Sequence, residues 1–376
     1  MKQIIVLLLL TLCGCATNSS KKSPEGNWFT FRGNAAMSGY TNVRLPDEPV
    51  LLWLYKSELR TSSSPLVYEG TVYWCDARGR VQGVDTEGKL CFNYAFGTAI
   101  DATPIIDDSV IYIGRIDGII SALSLTTQDT IWNYETWGQI SASPNIVDFE
   151  GRKAVVCGSY DYFLYCLDCR DGKEINRFES GNYINGAVAQ WNDYVIFGGC
   201  DGWLRMVDCR TGIQTDSLIA DAYIPASPAV SGNYCYIADY SGNIYEVFLK
   251  NGKFERNRKI VESKSESSAF VSVPAVSEKT LYIVSDDRYL YAINRSDGGV
   301  SWKYLLKGNT GESSPVICRD KVIVCTKTGI ISILDTQKGT LLWEYDAGEQ
   351  IVASPAITKE RFYILTVRGT LFCFGE

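Results

Sequence analysis

The chain has 376 residues, 46% hydrophobic and 12% aromatic, and its 36 basic against 43 acidic side chains give a formal charge of −7. An acidic balance without any basic block speaks against a nucleic-acid partner. Histidine is absent, so neither a Ser/His/Asp nor a Cys/His nucleophilic site can be assembled.

At the N-terminus, Met1-Lys2-Gln3 precedes an apolar run, Ile4–Leu12, broken only by Thr11. It is too short to span a bilayer as a helix and suits the core of an export signal. The run ends in Leu12-Cys13-Gly14-Cys15, which resembles a bacterial lipobox. That resemblance implies cleavage before Cys15 and acylation of Cys15, tethering the chain to a membrane. Ala16 is compatible with sorting to an outer membrane and a periplasmic location. An ordinary secretory signal with Cys15 unmodified is the alternative. On this reading residues 1–14 are the signal peptide and the polar stretch 15–26 is a flexible tether. Ordered structure occupies 27–376.

From residue 50 onward short β-branched and aromatic runs alternate with Gly- and Asp-bearing turns, as in an antiparallel meander. A small residue followed by Pro recurs at Ser64-Pro65, Thr103-Pro104, Ser143-Pro144, Ser227-Pro228, Val273-Pro274, Ser314-Pro315 and Ser354-Pro355. The double gap between Pro144 and Pro228 is filled by a degenerate copy, Ile184–Asp208, with Val188 at the proline position. Successive anchors then lie 39 to 46 residues apart and define eight repeats. Four strands per repeat of about 40 residues predict a β-propeller. The last repeat stops at Glu376 before its fourth strand, and Val50–Tyr55 supplies a spare strand ahead of the first anchor. The prediction is therefore all-β: an eight-bladed propeller of four-stranded antiparallel blades, closed by an N-terminal strand in the last blade, which hides open edges. The polar insertion Ile260–Ser268 in the longest gap reads as a mobile loop.

Setting aside Cys13 and Cys15, eleven of the 13 cysteines lie in the body, an odd number. Cys75, Cys157 and Cys325 share one strand column, where Cys acts as a small core residue. Cys166-Leu167-Asp168-Cys169 matches CxxC formally but lacks the strand-to-helix setting of a redox motif. A Cys169–Cys209 disulfide between adjacent blades stays open, since its distance is not legible in sequence.

Residues just before each anchor belong at one mouth of the channel. Among them Asp101, Asn185 and Glu312 offer oxygen ligands of the type Ca²⁺ uses, or simply a polar rim. Trp137, Tyr183, Tyr223 and Phe270 fall in the connections between blades. They are candidate docking residues for a partner strand or peptide, or packing residues against the neighbouring blade.

The SP-x-V first strand, the Asp117-Gly118-Ile119-Ile120 and Asp201-Gly202-Trp203-Leu204 third-strand entries, and Asp335…Gly339…Trp343 together resemble the PQQ-like β-propeller repeat. The lead-in Trp28…Phe31-Arg32-Gly33-Asn34…Ser38-Gly39-Tyr40 is similar to that of exported proteins with this repeat. The resemblance spans about 27–376 and implies one of two branches. Quinoprotein dehydrogenases hold pyrroloquinoline quinone and Ca²⁺ on the axis, often with an adjacent Cys-Cys pair or a C-x-x-C-H haem site; neither motif occurs here. The other branch is the non-catalytic BamB-like lipoproteins of outer-membrane β-barrel assembly. The expectation is thus a non-enzymatic envelope scaffold without cofactor or metal, anchored to a membrane and binding an envelope protein such as the β-barrel assembly machinery. A divergent quinone-dependent oxidoreductase and a surface glycan-binding propeller are the alternatives.

Overall fold

The computed structural model describes residues 26–262 and 269–376. The leader with Cys15, and residues 263–268 of the expected loop, lie outside the described residues. Eight sheets form the ring, seven of four strands and one of five. Each inner strand starts directly after its anchor residue, from Leu66–Tyr68 in blade 1 to Ala356–Thr358 in blade 8. Val188 holds the anchor place ahead of Ala189–Trp191, so the degenerate copy is a complete blade 4.

Within a blade the second and third strands are almost wholly buried, and the outer strand is the exposed one. Blade 7 shows why. Lys321–Cys325 and Ile330–Asp335 are covered on both faces by neighbouring blades, whereas Leu341–Asp346 faces solvent along one edge. Burial on both faces explains the continuous Val and Ile runs. Val50–Lys56 pairs antiparallel with Thr370–Gly375 and closes blade 8. The closing turns pack against aromatics of the preceding blade: Gly339 sits against the Trp302 ring, and Gly172 against Trp132. A Cβ at either glycine would approach those rings to 2.4 and 2.6 Å.

The anchor motif has a second purpose. The Ser64 amide donates to Thr103 Oγ1 of the next blade at 2.8 Å, and Thr103 in turn to Ser143 Oγ at 3.1 Å. Val273 donates to Ser314, Ser314 to Ser354, and Ser354 to Ser64. Five such bridges lace blades 6, 7, 8, 1, 2 and 3 together around the channel, and each satisfies a buried amide.

The longest gap resolves differently from expectation at its start. Ile260 and Val261 finish a nine-residue outer strand, Lys253–Val261, in blade 5. A β-branched pair continuing a ladder is a strand extension, so the first two residues of the expected loop belong to blade 5.

All eleven body cysteines are free, and nine are buried. Cys166 Sγ points at the Cys209 carbonyl, so the CxxC segment packs between blades 3 and 4. Burial pushes the Cys157 and Cys166 thiols up to about 12, which keeps them protonated and unreactive.

Candidate functional site: the plugged channel and its aromatic mouth

The lead-in segment enters the channel from the side opposite the mouth. Trp28 exchanges backbone bonds with Val67 of blade 1, and the Phe29 carbonyl accepts from Ile106 of blade 2. Ala35 accepts from the Asn145 side chain of blade 3 and the Gln190 amide of blade 4. Ala36, Ser38 and Gly39 accept from Val230, Val276 and Ile317 of blades 5, 6 and 7. Tyr40–Thr41 then runs parallel to Val316–Cys318 as the fifth strand of blade 7, which sequence reasoning missed. A two-residue strand carries no period, so only the Phe-Arg-Gly-Asn lead-in hinted at it.

Packing explains that lead-in. Arg32 is 1% exposed, and its guanidinium donates to the carbonyls of Pro315 at 2.6 Å and Pro274 at 3.2 Å. No carboxylate pairs with it among the described residues. Burial alone pulls its pKa down to about 9, and it remains charged at neutral pH. Gly39 is glycine because a Cβ there would lie 2.0 Å from Arg32 Nη2. Gly33 has φ +81° and lies against the Trp28 ring. Asn34 and Ser38 close the loop through two hydrogen bonds.

Above this plug the mouth is a cup of about 970 Å³ with Phe31 in its floor. Asp101, Asn185 and Glu312 all line it, so the sequence placed them correctly. They come from connections spread around the ring, and no group of three His, Cys, Asp or Glu close enough to hold a metal occurs among the described residues. With Ser62, Ser64, Thr103, Ser141 and Ser143 on the wall, the donor set is that of a solvated polar rim. It does not fit a quinone–calcium pair, which needs clustered carboxylates and a flat stacking partner.

Outside the cup the mouth face differs by sector. Trp137 is 76% exposed, with its edge toward Phe163 and the Arg177 guanidinium 5.3 Å from its ring. Its amide donates to Asp161. Tyr183 is exposed and lies 5.0 Å from Tyr160 and 5.2 Å from Tyr162. Tyr223 stacks on Tyr240 with centroids 4.5 Å apart and planes at 21°. Desolvation and that neighbour push the Tyr223 hydroxyl up to about 12. Phe270 takes the second of the two roles open to it in sequence, packing rather than docking. It is 4% exposed, bridges to Ser285 and packs edge-on against Tyr291, because it turns inward to seal blades 5 and 6. Tyr160, Tyr162 and Tyr240 replace it in the arc. The available signal was Tyr162, in the turn between second and third strands where six blades have Gly; the column of Tyr160 and Tyr240 varies from blade to blade and gave none. Across the ring the mouth is basic: Lys56, Arg60 and Arg368 line a groove of about 640 Å³ beside Glu58 and Glu349.

A family model described as outer membrane protein assembly factor BamB matches residues 116–273 and 262–374. The BamB of Legionella pneumophila is 29% identical over 148 residues, covering 39% of this chain and 36% of that protein. The chain therefore matches about a third of that relative's length. The crystal structure of BamB from Moraxella catarrhalis superposes with a TM-score of 0.73 at 19% identity, over 87% of this chain and 98% of that one. The quinohemoprotein alcohol dehydrogenase of Comamonas testosteroni gives 0.75 at 14% identity, over 95% and 81%. At such identities the structural matches establish the fold alone.

Proposed function

From a chain that belongs to the family of outer membrane protein assembly factor BamB, we propose a non-catalytic scaffold that docks a component of the outer-membrane β-barrel assembly machinery on its mouth face. The aromatic arc over blades 2 to 5 carries this reading. Large, rigid aromatic side chains held exposed on a closed ring present contact area at small entropic cost. In our reading residues 1–14 are a signal peptide, 15–26 a tether and 27–376 the propeller, with acylated Cys15 holding the protein at the outer membrane on its periplasmic side. The lead-in enters on the face opposite the mouth, where the Asn27 side chain accepts from Glu69. A tether reaching that face leaves the arc free to meet a partner.

The test is affinity capture of the anchored protein from envelopes after mild crosslinking, with Cys15→Ala beside it. Recovery of the barrel-assembly protein, weakened in Cys15→Ala and lost in a Trp137→Ala/Tyr183→Ala/Tyr223→Ala triple variant, is the expected result. Undiminished recovery by the triple variant would remove the mouth as the docking face.

A further inference from the structure

In every blade the turn between the second and third strands ends on a residue with positive φ whose amide closes the turn. It is Gly79, Gly118, Gly202, Gly242, Gly329 and Gly369 in six blades, with φ between +76° and +93°. Blade 6 has Arg288, and blade 3 has Tyr162 at φ +76°. A left-handed backbone costs a side-chain-bearing residue about 1–2 kcal/mol, and such strain concentrates at functional positions. Tyr162 is 39% exposed, and its one close aromatic neighbour is Tyr183, itself exposed. Burial within its own chain therefore does not offset that strain. Glu135 and Glu179, at the mouth ends of the outer strands of blades 2 and 3, are exposed and form no ion pair among the described residues. Asp286, close to Tyr223, is likewise exposed and unpaired. The cations of this sector are engaged elsewhere: Arg177 lies over Trp137 and Phe163, and Arg115, Arg205 and Lys259 pair with Asp117, Asp201 and Asp221.

We infer that Tyr162 is an affinity-determining residue of the mouth, gripping an extended segment of the partner protein that carries basic and aliphatic side chains. The inference rests on the docking reading above. Aromatic stations follow one another from blade to blade, which suits an extended chain presenting successive side chains. The unpaired carboxylates beside them favour lysine and arginine.

Two measurements on the full-length anchored protein test it. In the first, p-benzoylphenylalanine is placed at position 162 and, as a control in the basic sector, at 368. Irradiation in intact envelopes should join position 162 to a barrel-assembly protein through a peptide containing Lys or Arg among aliphatic residues, with no such adduct from 368. An adduct to an acidic segment or to a glycan, or none, would overturn the assignment of the occupant. In the second, Tyr162→Gly should hold or raise the unfolding midpoint by about 1–3 °C while capture of the assembly protein falls at least fivefold, and Tyr162→Phe should keep most of it. A lowered midpoint would overturn the strain argument. If Tyr162→Gly captures normally while Tyr183→Ala or Tyr223→Ala does not, the mouth stands and the role of Tyr162 falls. If all three capture normally, both readings fall.

Discussion

From blade 6 through blades 7, 8, 1 and 2 to blade 3, the amide ahead of each inner strand donates to a hydroxyl of the next blade. From blade 3 to blade 6 no such bridge occurs among the described residues. There Ala187-Val188 replaces the Ser-Pro anchor of blade 4. The Asn145 side chain donates to the Val188 carbonyl instead, and the plug supplies Ala35 and Ala36 carbonyls to blades 3, 4 and 5. The same sector carries the exposed aromatics, and the belted sector carries the basic groove. Where the repeat loses its signature residues, the mouth gains side chains that the ring itself does not use. The plug ties both sectors, and in the bare sector it does so without the belt.

Because the plug ties seven of the eight blades, removing its centre should have the largest effect. Arg32→Ala leaves the Pro315 and Pro274 carbonyls without their donor and opens a void against Gly39. Lost charged hydrogen bonds plus the cavity predict a loss of about 3–5 kcal/mol, read from denaturant unfolding. A loss under about 1 kcal/mol would show that the ring closes without its plug.

Acid should come next, through closing-turn aspartates. Asp168 is held well below the ordinary carboxylate range, first by the Arg170 hydrogen bond and then by the Arg170 amide and Arg152. Asp208 is lowered in the same way by Arg210. A depressed folded pKa stabilises the protein above the unfolded value of about 3.9, and that contribution disappears as pH falls below it. The unfolding midpoint should therefore be flat from pH 8 to 5 and drop below pH 4. Asp168→Asn should be less stable at neutral pH and show a shallower acid slope. An equal slope in the variant would place the acid sensitivity elsewhere.

In the belted sector, Ser354→Ala deletes the hydroxyl that receives the Ser314 amide. The expected cost is about 1–2 kcal/mol, since a buried donor is left unpaired. No change would reduce the belt to a by-product of strand geometry.

Much of this was legible before any coordinates. The period of about 40 residues, Val188 as the stand-in anchor and the strand closing blade 8 all follow from β-branched runs between Gly turns, which are local signals. The plug was not, because Trp28, Phe29, Ala35, Ala36, Ser38 and Gly39 act through backbone carbonyls toward seven different blades, and a carbonyl leaves no trace in sequence. The role of Phe270 was undecided for a related reason. Connections between blades can turn inward or outward with equal composition, and only packing against Tyr291 decides it. Tyr162 was readable in principle, as a Tyr in a column of glycines.

The smallest expected effect tests whether the bare sector lost its belt or never needed it. Ala187 is buried at the position, one residue before the anchor, where five other blades carry the bridging hydroxyl. Ala187→Ser would offer that hydroxyl to the Ser143 amide, as Ser143 does to Thr103. If blade 3 and blade 4 are spaced like the belted pairs, the new bond should add about 0.5–1 kcal/mol, visible as a rise in the unfolding midpoint. If the sector is held open by the plug, the hydroxyl is buried without a partner and the protein loses a similar amount. The sign alone decides it. A gain means the ring is regular beneath its degenerate sequence, and capture by the mouth should be unchanged. A loss means the aromatic sector sits on blades that are spaced differently, and its geometry is set by residues 34–39 rather than by the repeat.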